Sequence, residues 1–376
     1  MRVLAVENVA VEFARRPVYR ALARMHDFDV HLLVPFSWRD QGLAIGCEPE
    51  ESASLHIHPT KVLFGNRTHR VLYRELFRLV GQLKPDILYV DAEPENYAAV
   101  QALLSLRVTS RSTRLALVSS RTIDHRRVGF PYRLSMLHRI CDGVIRRYPP
   151  DLLFVRPKSA IPLMANYART IVELPHVVDC SVFRRGRSRR SGGRQLTIGY
   201  LGRLVEEKGI PLLIETMRDM PEHVNLMIVG SGKIGGQLEE LVRSFHISDR
   251  VRFHSAVRYA DVPGILNRFD ILVLPSIATK YWNEQFGRVL IEAMACGVPV
   301  VGSDSGGIPD VVGDAGLLFR SGDRVDLARK ILQLVSDPGL RRKYQLRGRD
   351  RAVTLFDAPV IATKMADAFR SVLACC

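Results

Sequence analysis

A chain of 376 residues, 47% apolar and 25% charged, is long enough for two domains and has an ordinary globular composition. No apolar run reaches the roughly 18 residues of a membrane span. Acids in MRVLAVENVAVEF argue against an export signal, and Cys47, Cys141, Cys180, Cys296, Cys375 and Cys376 lack paired-ligand spacing and read as reduced cytoplasmic thiols. The net charge of +15 is uneven: residues 1–195 hold 31 Lys and Arg against 18 acids, and residues 196–376 hold 23 against 21. Either the first half meets an anionic acceptor or surface, or its arginines are simply solvated.

In chain order, RVLAV predicts a first strand, 17–25 a helix and DVHLLVP (29–35) a second strand. Residues 36–66 read as irregular, with a short strand at 55–58. A helix is expected from 66 to about 83, with Arg67, Arg70, Arg74 and Arg78 on one face and an apolar stripe on another. That basic face suits solvent or an anionic membrane surface. PDILYVDAEPENYAAV (85–100) reads as strand, turn and helix. Asp91, Glu93 and Glu95 then sit at the strand's carboxyl end, where open α/β sheets collect ligands. Such acids accept hydrogen bonds from sugar hydroxyls or cap the next helix. LALVSS (115–120) predicts a strand, followed by Arg121, Asp124 and His125 in an arginine-rich loop. DLLFVRPKSAIPLM (151–164) reads as the last strand and helix of a first domain, 1–177. The stretch 178–195, with five arginines within 184–190, reads as a linker.

A second domain, 196–355, opens with LTIGYLGRLVEEKG as strand, loop and helix. NLMIVGSG (225–232) is strand and glycine turn, and strands at 251–257 and 271–276 follow. The most telling stretch is EQFGRVLIEAMACGVPVVGSDSGGIPDVV (284–312). Its helix is apolar on nearly every side and should be buried, yet it holds Glu292, and glutamate is rarely buried without a partner or a task. Gly297 falls where a left-handed cap belongs, with Pro299 just beyond. Glu284 precedes the helix, and Gly287 lets a ligand approach its first turn, where unpaired N–H groups point outward. The pattern describes a phosphate-bearing ligand with a carboxylate on either side. A last helix is expected over 356–376.

The Glu284-x7-Glu292 spacing, with FG and EAMACGVPVV in register, resembles the retaining glycosyltransferases of family 4. The resemblance continues through GYLGRLVEEKG (199–209), MIVGSG (227–232), VRFHSAV (251–257) and ILVLPS (271–276). It implies an α/β, GT-B fold: two Rossmann-like doubly wound domains facing across a cleft, with the last helix crossing back onto the first. It also implies retaining, same-face transfer of a sugar from a nucleotide diphosphate sugar, a hexosyltransferase-type activity. Arg203 and Lys208 would then meet the donor diphosphate, Glu284 the sugar hydroxyls and Glu292 the ribose. Phe286, Gly287, Arg288 and Val289 would line the helix tip, with Gly202, Gly230, Ala256 and Val257 near the rest of the donor. Two cations and a helix dipole make a metal unnecessary, and no metal or other cofactor is expected.

Family members often carry a glycine-rich loop after the first strand, which ENVAVEFARR lacks. They also carry an active-site histidine after the strand corresponding to LALVSS. His125 is the nearest match and Arg121 stands closer to the place; Arg121, Asp124 and Glu93 are the acceptor-side candidates. The resemblance implies a polysaccharide, lipid-linked or secondary-metabolite acceptor, and the basic first domain suggests peripheral contact with the cytosolic membrane face. Nucleic acid is not expected, since no aromatic residues interleave the basic runs. Nucleotide-sugar epimerization, another GT-B reaction without a glycosyl acceptor, and a donor-binding but inactive homologue are the alternatives.

Overall fold

The computed structural model describes residues 1–40, 43–52, 54–65, 67–110, 112–124, 136–186 and 195–374. Two compact units emerge: Met1–Val177 with Ala358–Cys376, and Val178–Asp357.

Unit 1 begins with β1 (Arg2–Val6), α1 (Pro17–Ala23) and β2 (Asp29–Pro35). Two antiparallel pairs, β3 (Ser37–Asp40) with β4 (Leu43–Gly46) and β6 (Val62–Leu63) with β7 (Leu72–Tyr73), flank β5 (Leu55–Thr60). Then α2 (Leu76–Leu83), β8 (Ile87–Val90), α3 (Tyr97–Thr109), β9 (Arg114–Ser119), α4 (Met136–Arg147), β10 (Leu152–Val155), α5 (Ile161–Met164) and β11 (Thr170–Glu173) follow. Seven parallel strands lie in the order β5-β2-β1-β8-β9-β10-β11. Helix-covered parallel strands are buried on both faces, which is why they read as unbroken apolar runs. Leu152, Leu153, Phe154 and Val155 are wholly buried.

Three expectations need correction. Residues 67–75 are not helical; the helix starts at Leu76. Leu72 and Tyr73 instead pair with Leu63 and Val62, and the Gln101 side chain both accepts from Tyr73 N (2.9 Å) and donates to Tyr73 O (2.8 Å). The expected arginine stripe therefore does not form a helix face: only Arg78 lies in α2. The last strand of this unit is β11, which lies beyond 151–164. Finally, the described part of the expected linker, from Val178, packs within unit 2. There Arg349 donates to Cys180 O (3.0 Å), Phe183 O (2.7 Å) and Ala295 O (2.6 Å).

The loop after β1 is closed by a buried arginine. Arg16 donates to Ala10 O (2.7 Å), Val11 O (2.9 Å) and Glu48 O (2.8 Å), so one buried guanidinium ties together three loop carbonyls, of which Val11 O also accepts from Glu48 N (2.8 Å).

Unit 2 contains β12 (Leu196–Leu201), α6 (Ile210–Thr216), β13 (Val224–Val229), α7 (Gly235–Ser244), β14 (Val251–His254), α8 (Val262–Leu266) and β15 (Ile271–Leu274). It continues with α9 (Arg288–Ala295), β16 (Val300–Ser303), α10 (Ile308–Val312), β17 (Leu317–Phe319), α11 (Arg324–Ser336) and α12 (Pro338–Leu355). Its parallel sheet runs β14-β13-β12-β15-β16-β17. Leu290 and Ile291 of α9 are fully buried, each worth about 1.5–3 kcal/mol of transfer free energy.

The chain ends with α13 (Ala358–Ala374), which belongs to unit 1. Ile361, Met365, Phe369 and Val372 recur at helical spacing and enter that core. Phe369 meets Tyr89 and Phe154 edge-on, with centroids 6.2 and 5.8 Å apart. Among the described residues, no helix is long and apolar enough to cross a membrane.

Candidate functional site

Numbered within unit 2, the strand order is 3-2-1-4-5-6, and the direction of winding reverses between β12 and β15. Doubly wound sheets bind ligands outside the carboxyl ends of the strands at this reversal. The loop after β12 (202–209) and the loop after β15 (275–287) flank it.

Glycines let these loops approach closely. A Cβ on Gly209, where φ is +65°, would lie 2.0 Å from Pro275 O, and one on Gly230 would lie 1.9 Å from Gly202 O. Leu204 N donates to Ser231 O (3.0 Å) and Ile277 N to Glu207 O (2.9 Å). The glycine turn at 230–232 thus serves loop packing, whatever else it touches.

The loops bring Lys208 and Glu284 together. Lys208 Nζ donates to Glu284 Oε2 at 2.5 Å, although Glu206 and Glu207 are its sequence neighbours. Ser276 Oγ donates to the same oxygen (2.7 Å), and Ser303 Oγ donates to Ser276 O (2.6 Å). The Glu284 backbone is held as well: its N–H donates to Ser305 Oγ (3.2 Å), and its carbonyl accepts from Gly307 N (2.8 Å). Gly306 has φ +56°, and a Cβ there would stand 1.9 Å from Glu284 O. Glu284 is 7% exposed, and its Oε1 has no hydrogen-bond partner among the described residues. Lys208 Nζ also lies 5.5 Å from the centroid of the Trp282 ring.

Arg203 is exposed on the same loop, and its carbonyl accepts from the buried Tyr200 hydroxyl (2.7 Å). Burial, then the Glu284 carboxylate, raise the Tyr200 phenol, while Arg203 opposes them. Both charges therefore act on one phenol.

α9 opens beside this cluster. Gly287 has φ +79°, and a Cβ there would meet Leu274 Cδ2 at 2.7 Å, so the position demands glycine. Phe286 is buried edge-on against Phe356, with centroids 6.0 Å apart; its side chain is core. Arg288 and Val289 are half-buried in the helix's first turn. Glu292 is 6% exposed. Burial, then its carboxylate, push the nearby Cys296 thiol up to about 12. Gly297 takes the left-handed cap at φ +65°. Val257 follows β14, next to Ala256, whose N–H donates to Ser231 Oγ (3.3 Å).

The first-unit candidates sit differently. Its winding reverses between β1 and β8, and the acids after β8 point into paired networks. Glu93 accepts from Ser119 Oγ and Ser120 N, both at 2.6 Å; burial, then Glu95, push its carboxyl up to about 7. Arg121 is 2% exposed and donates to Glu95 and to Tyr167 Oη (3.0 Å), which in turn donates to Asp142 Oδ1 (2.8 Å). Arg156 holds Asp91 at 3.0 Å. Asp124 lines a hollow of about 220 Å³ with Arg146, Asn166 and Tyr167. His125 lies outside the described residues.

Sequence reading missed Tyr200, Ser276, Trp282, Ser305 and Gly306. Ser276 closes ILVLPS and Ser305-Gly306 lies inside the 284–312 stretch, so the letters were in view. Their roles arise only where two loops meet.

Residues 186–351 match the family model described as Glycosyl transferases group 1. The chain is 36% identical over 150 residues to N-acetyl-alpha-D-glucosaminyl L-malate synthase of Bacillus anthracis, covering 39% of this chain and 38% of that protein. It is 36% identical over 228 residues to D-inositol 3-phosphate glycosyltransferase of Corynebacterium jeikeium, covering 54% and 53%. These matches thus span about half or less of each relative. Among solved structures, sucrose-phosphate synthase from Thermosynechococcus elongatus aligns over 100% of both chains with TM-score 0.75 at 19% identity. Anabaena HepE in complex with UDP and glucose aligns over 99% and 100% with TM-score 0.71 at 19% identity, a likeness of fold. Unit 2 is therefore a glycosyl transferases group 1 domain, carried in a chain of the GT-B fold.

Proposed function

We propose that this chain is a retaining, family 4-type glycosyltransferase that moves a sugar from a nucleotide diphosphate sugar to an acceptor without a metal. The observation that carries the reading is the Lys208–Glu284 pair, fixed at the winding reversal by Ser276 and Gly306, with α9 opening beside it. As the sugar–oxygen bond breaks, negative charge builds on the departing diphosphate. Lys208, Arg203 and the N–H groups at the start of α9 would stabilise that charge. Glu284 would keep Oε2 on Lys208 and Ser276 and offer Oε1 to sugar hydroxyls. It would orient the ring rather than attack it, since an acid that already accepts two hydrogen bonds is a weak nucleophile. Glu292 would accept the two ribose hydroxyls. The incoming hydroxyl would add to the face the diphosphate leaves, its proton passing to a phosphate oxygen.

The acceptor we infer is anionic or lipid-linked, met by unit 1 at the cytosolic membrane face. Met136, Leu137 and Ile140 are exposed on α4 alongside Arg139 and Arg147, the mixture that favours an anionic lipid surface.

Incubating the chain with a panel of nucleotide diphosphate sugars and candidate acceptors tests this reading. Nucleoside diphosphate and a product with the donor's anomeric configuration are expected. An inverted product, or turnover with no acceptor consumed, would overturn it.

A further inference from the structure

Within unit 1, three imidazoles and a carboxylate gather on one face of the sheet. Strand alternation places Asp29 and His31 of β2 on the same side, and likewise His56 and His58 of β5. Register aligns His31 with His56, and Asp29 with Arg2. The His31 ring stacks on His56 (centroids 4.7 Å) and on His58 (5.2 Å). Asp29 Oδ1 lies 3.1 Å from His31 Nε2 and 3.7 Å from His56 Nε2, and the three ligand atoms fall within 4.8 Å of one another. We propose that Asp29, His31 and His56 bind one divalent transition-metal ion of the zinc type.

The spacing fits such an ion. Tetrahedral zinc, with bonds of about 2.0–2.1 Å, sets neighbouring ligand atoms about 3.3–3.4 Å apart. The two distances from Asp29 straddle that value, and the two imidazole nitrogens, within 4.8 Å of each other, would close toward it on binding. His58 supplies the outer support a ligating imidazole needs. Its Nε2 lies 2.9 Å from His31 Nδ1, so it can accept the Nδ1 proton and leave the His31 Nε2 lone pair facing the ion. Arg2 Nε donates to Asp29 Oδ2 (2.7 Å), which turns Oδ1 toward the imidazoles. The Arg2 charge opposes the ion, but the neutral imidazoles and one carboxylate leave room for a cation. His56 and Asp29 are partly exposed, giving an entry path and space for a water ligand. Two nitrogen donors favour zinc, nickel or copper over magnesium or calcium.

The position indicates what the ion would do. Asp29 and His56 lie at the amino ends of β2 and β5, opposite the carboxyl ends where α/β sheets bind substrates. β5 is also the last strand of the sheet. The ion would clasp this edge strand to its neighbour, and it takes no part in sugar transfer.

The test uses the full chain, stripped with a chelator. Zinc chloride is titrated against a chromophoric competitor, cobalt(II) is followed by visible absorption, and thermal unfolding is measured with and without zinc. Uptake of one zinc per chain, a four-coordinate cobalt band and a higher Tm are expected. His56→Gln should lose all three. His58→Gln should keep the stoichiometry but bind about 10–100-fold more weakly. His223→Gln, at an exposed position in unit 2, should match wild type. No uptake by wild type would overturn the proposal, as would full retention by folded His56→Gln. If His56→Gln fails to fold, the wild-type cobalt spectrum decides: a thiolate charge-transfer band would place the ion on cysteines and sink the site.

Discussion

Replacing Glu284 by Gln keeps the side chain's shape but removes the charge that faces Lys208. The two side chains are only 9% and 13% exposed, so solvent screens the pair poorly. Stranding one partner of such a pair costs about 3–5 kcal/mol, and Lys208→Met should cost a similar amount by stranding the carboxylate. Ser276 can still donate to the amide oxygen that replaces the carboxylate, which places the expected loss near the lower end, about 3 kcal/mol. The double variant Lys208→Met/Glu284→Gln removes both charges and should cost only about 1 kcal/mol, which against about 3 kcal/mol for each single variant gives a coupling energy of about 5 kcal/mol. Transfer should not recover with stability, because the diphosphate still lacks its cation and the sugar its carboxylate. Denaturant midpoints of all four proteins supply the cycle, and nucleoside diphosphate release supplies the rates. Coupling below about 0.5 kcal/mol would refute the buried-pair account. Wild-type turnover by Glu284→Gln would remove that residue from the mechanism.

Further outcomes follow from other sites. Gly306→Ala places a Cβ against Glu284 O at positive φ, so it should cost about 1–3 kcal/mol and lower kcat without touching substrate directly; denaturation and turnover on one preparation check both. Arg121→Leu leaves Glu95 and Asp142 buried without their cation and should lower stability by about 3–5 kcal/mol, read by chemical unfolding. The carboxyl of Glu93 is raised, so its stabilising contribution is complete below the unfolded-chain value of about 4.5 and is lost as pH climbs through about 7. The gap between Glu93→Gln and wild type should therefore shift in favour of the variant across that window. A gap that is flat with pH would contradict the burial argument.

Where a residue's task is set by its own element, the sequence revealed it. DVHLLVP and LALVSS are strands covered on both faces, and their apolar runs bounded by turns left little choice. Glu284, Gly287 and Glu292 stood out because an acid or a glycine in an apolar stretch needs a reason. Tasks set by distant partners stayed hidden. Residues 67–75 carry a helical apolar spacing, yet Gln101, 28 residues beyond Tyr73, takes that backbone into a hairpin. Arg121 reads as an exposed loop cation, but Glu95, Asp142 and Tyr167 come from three other segments to bury it. Ser276 and Gly306 matter only because the loops after β15 and β16 converge on Glu284.

The central claim is that unit 2 grips a nucleoside diphosphate by charge and helix-tip amides alone. Calorimetric titration of the full chain with a nucleoside diphosphate, in the presence of a metal chelator, tests it most directly. The account predicts saturable binding to wild type that Arg203→Ala/Lys208→Met weakens at least about tenfold, a loss of roughly 1.4 kcal/mol. Equal affinity in the double variant, or binding abolished by the chelator, would contradict it.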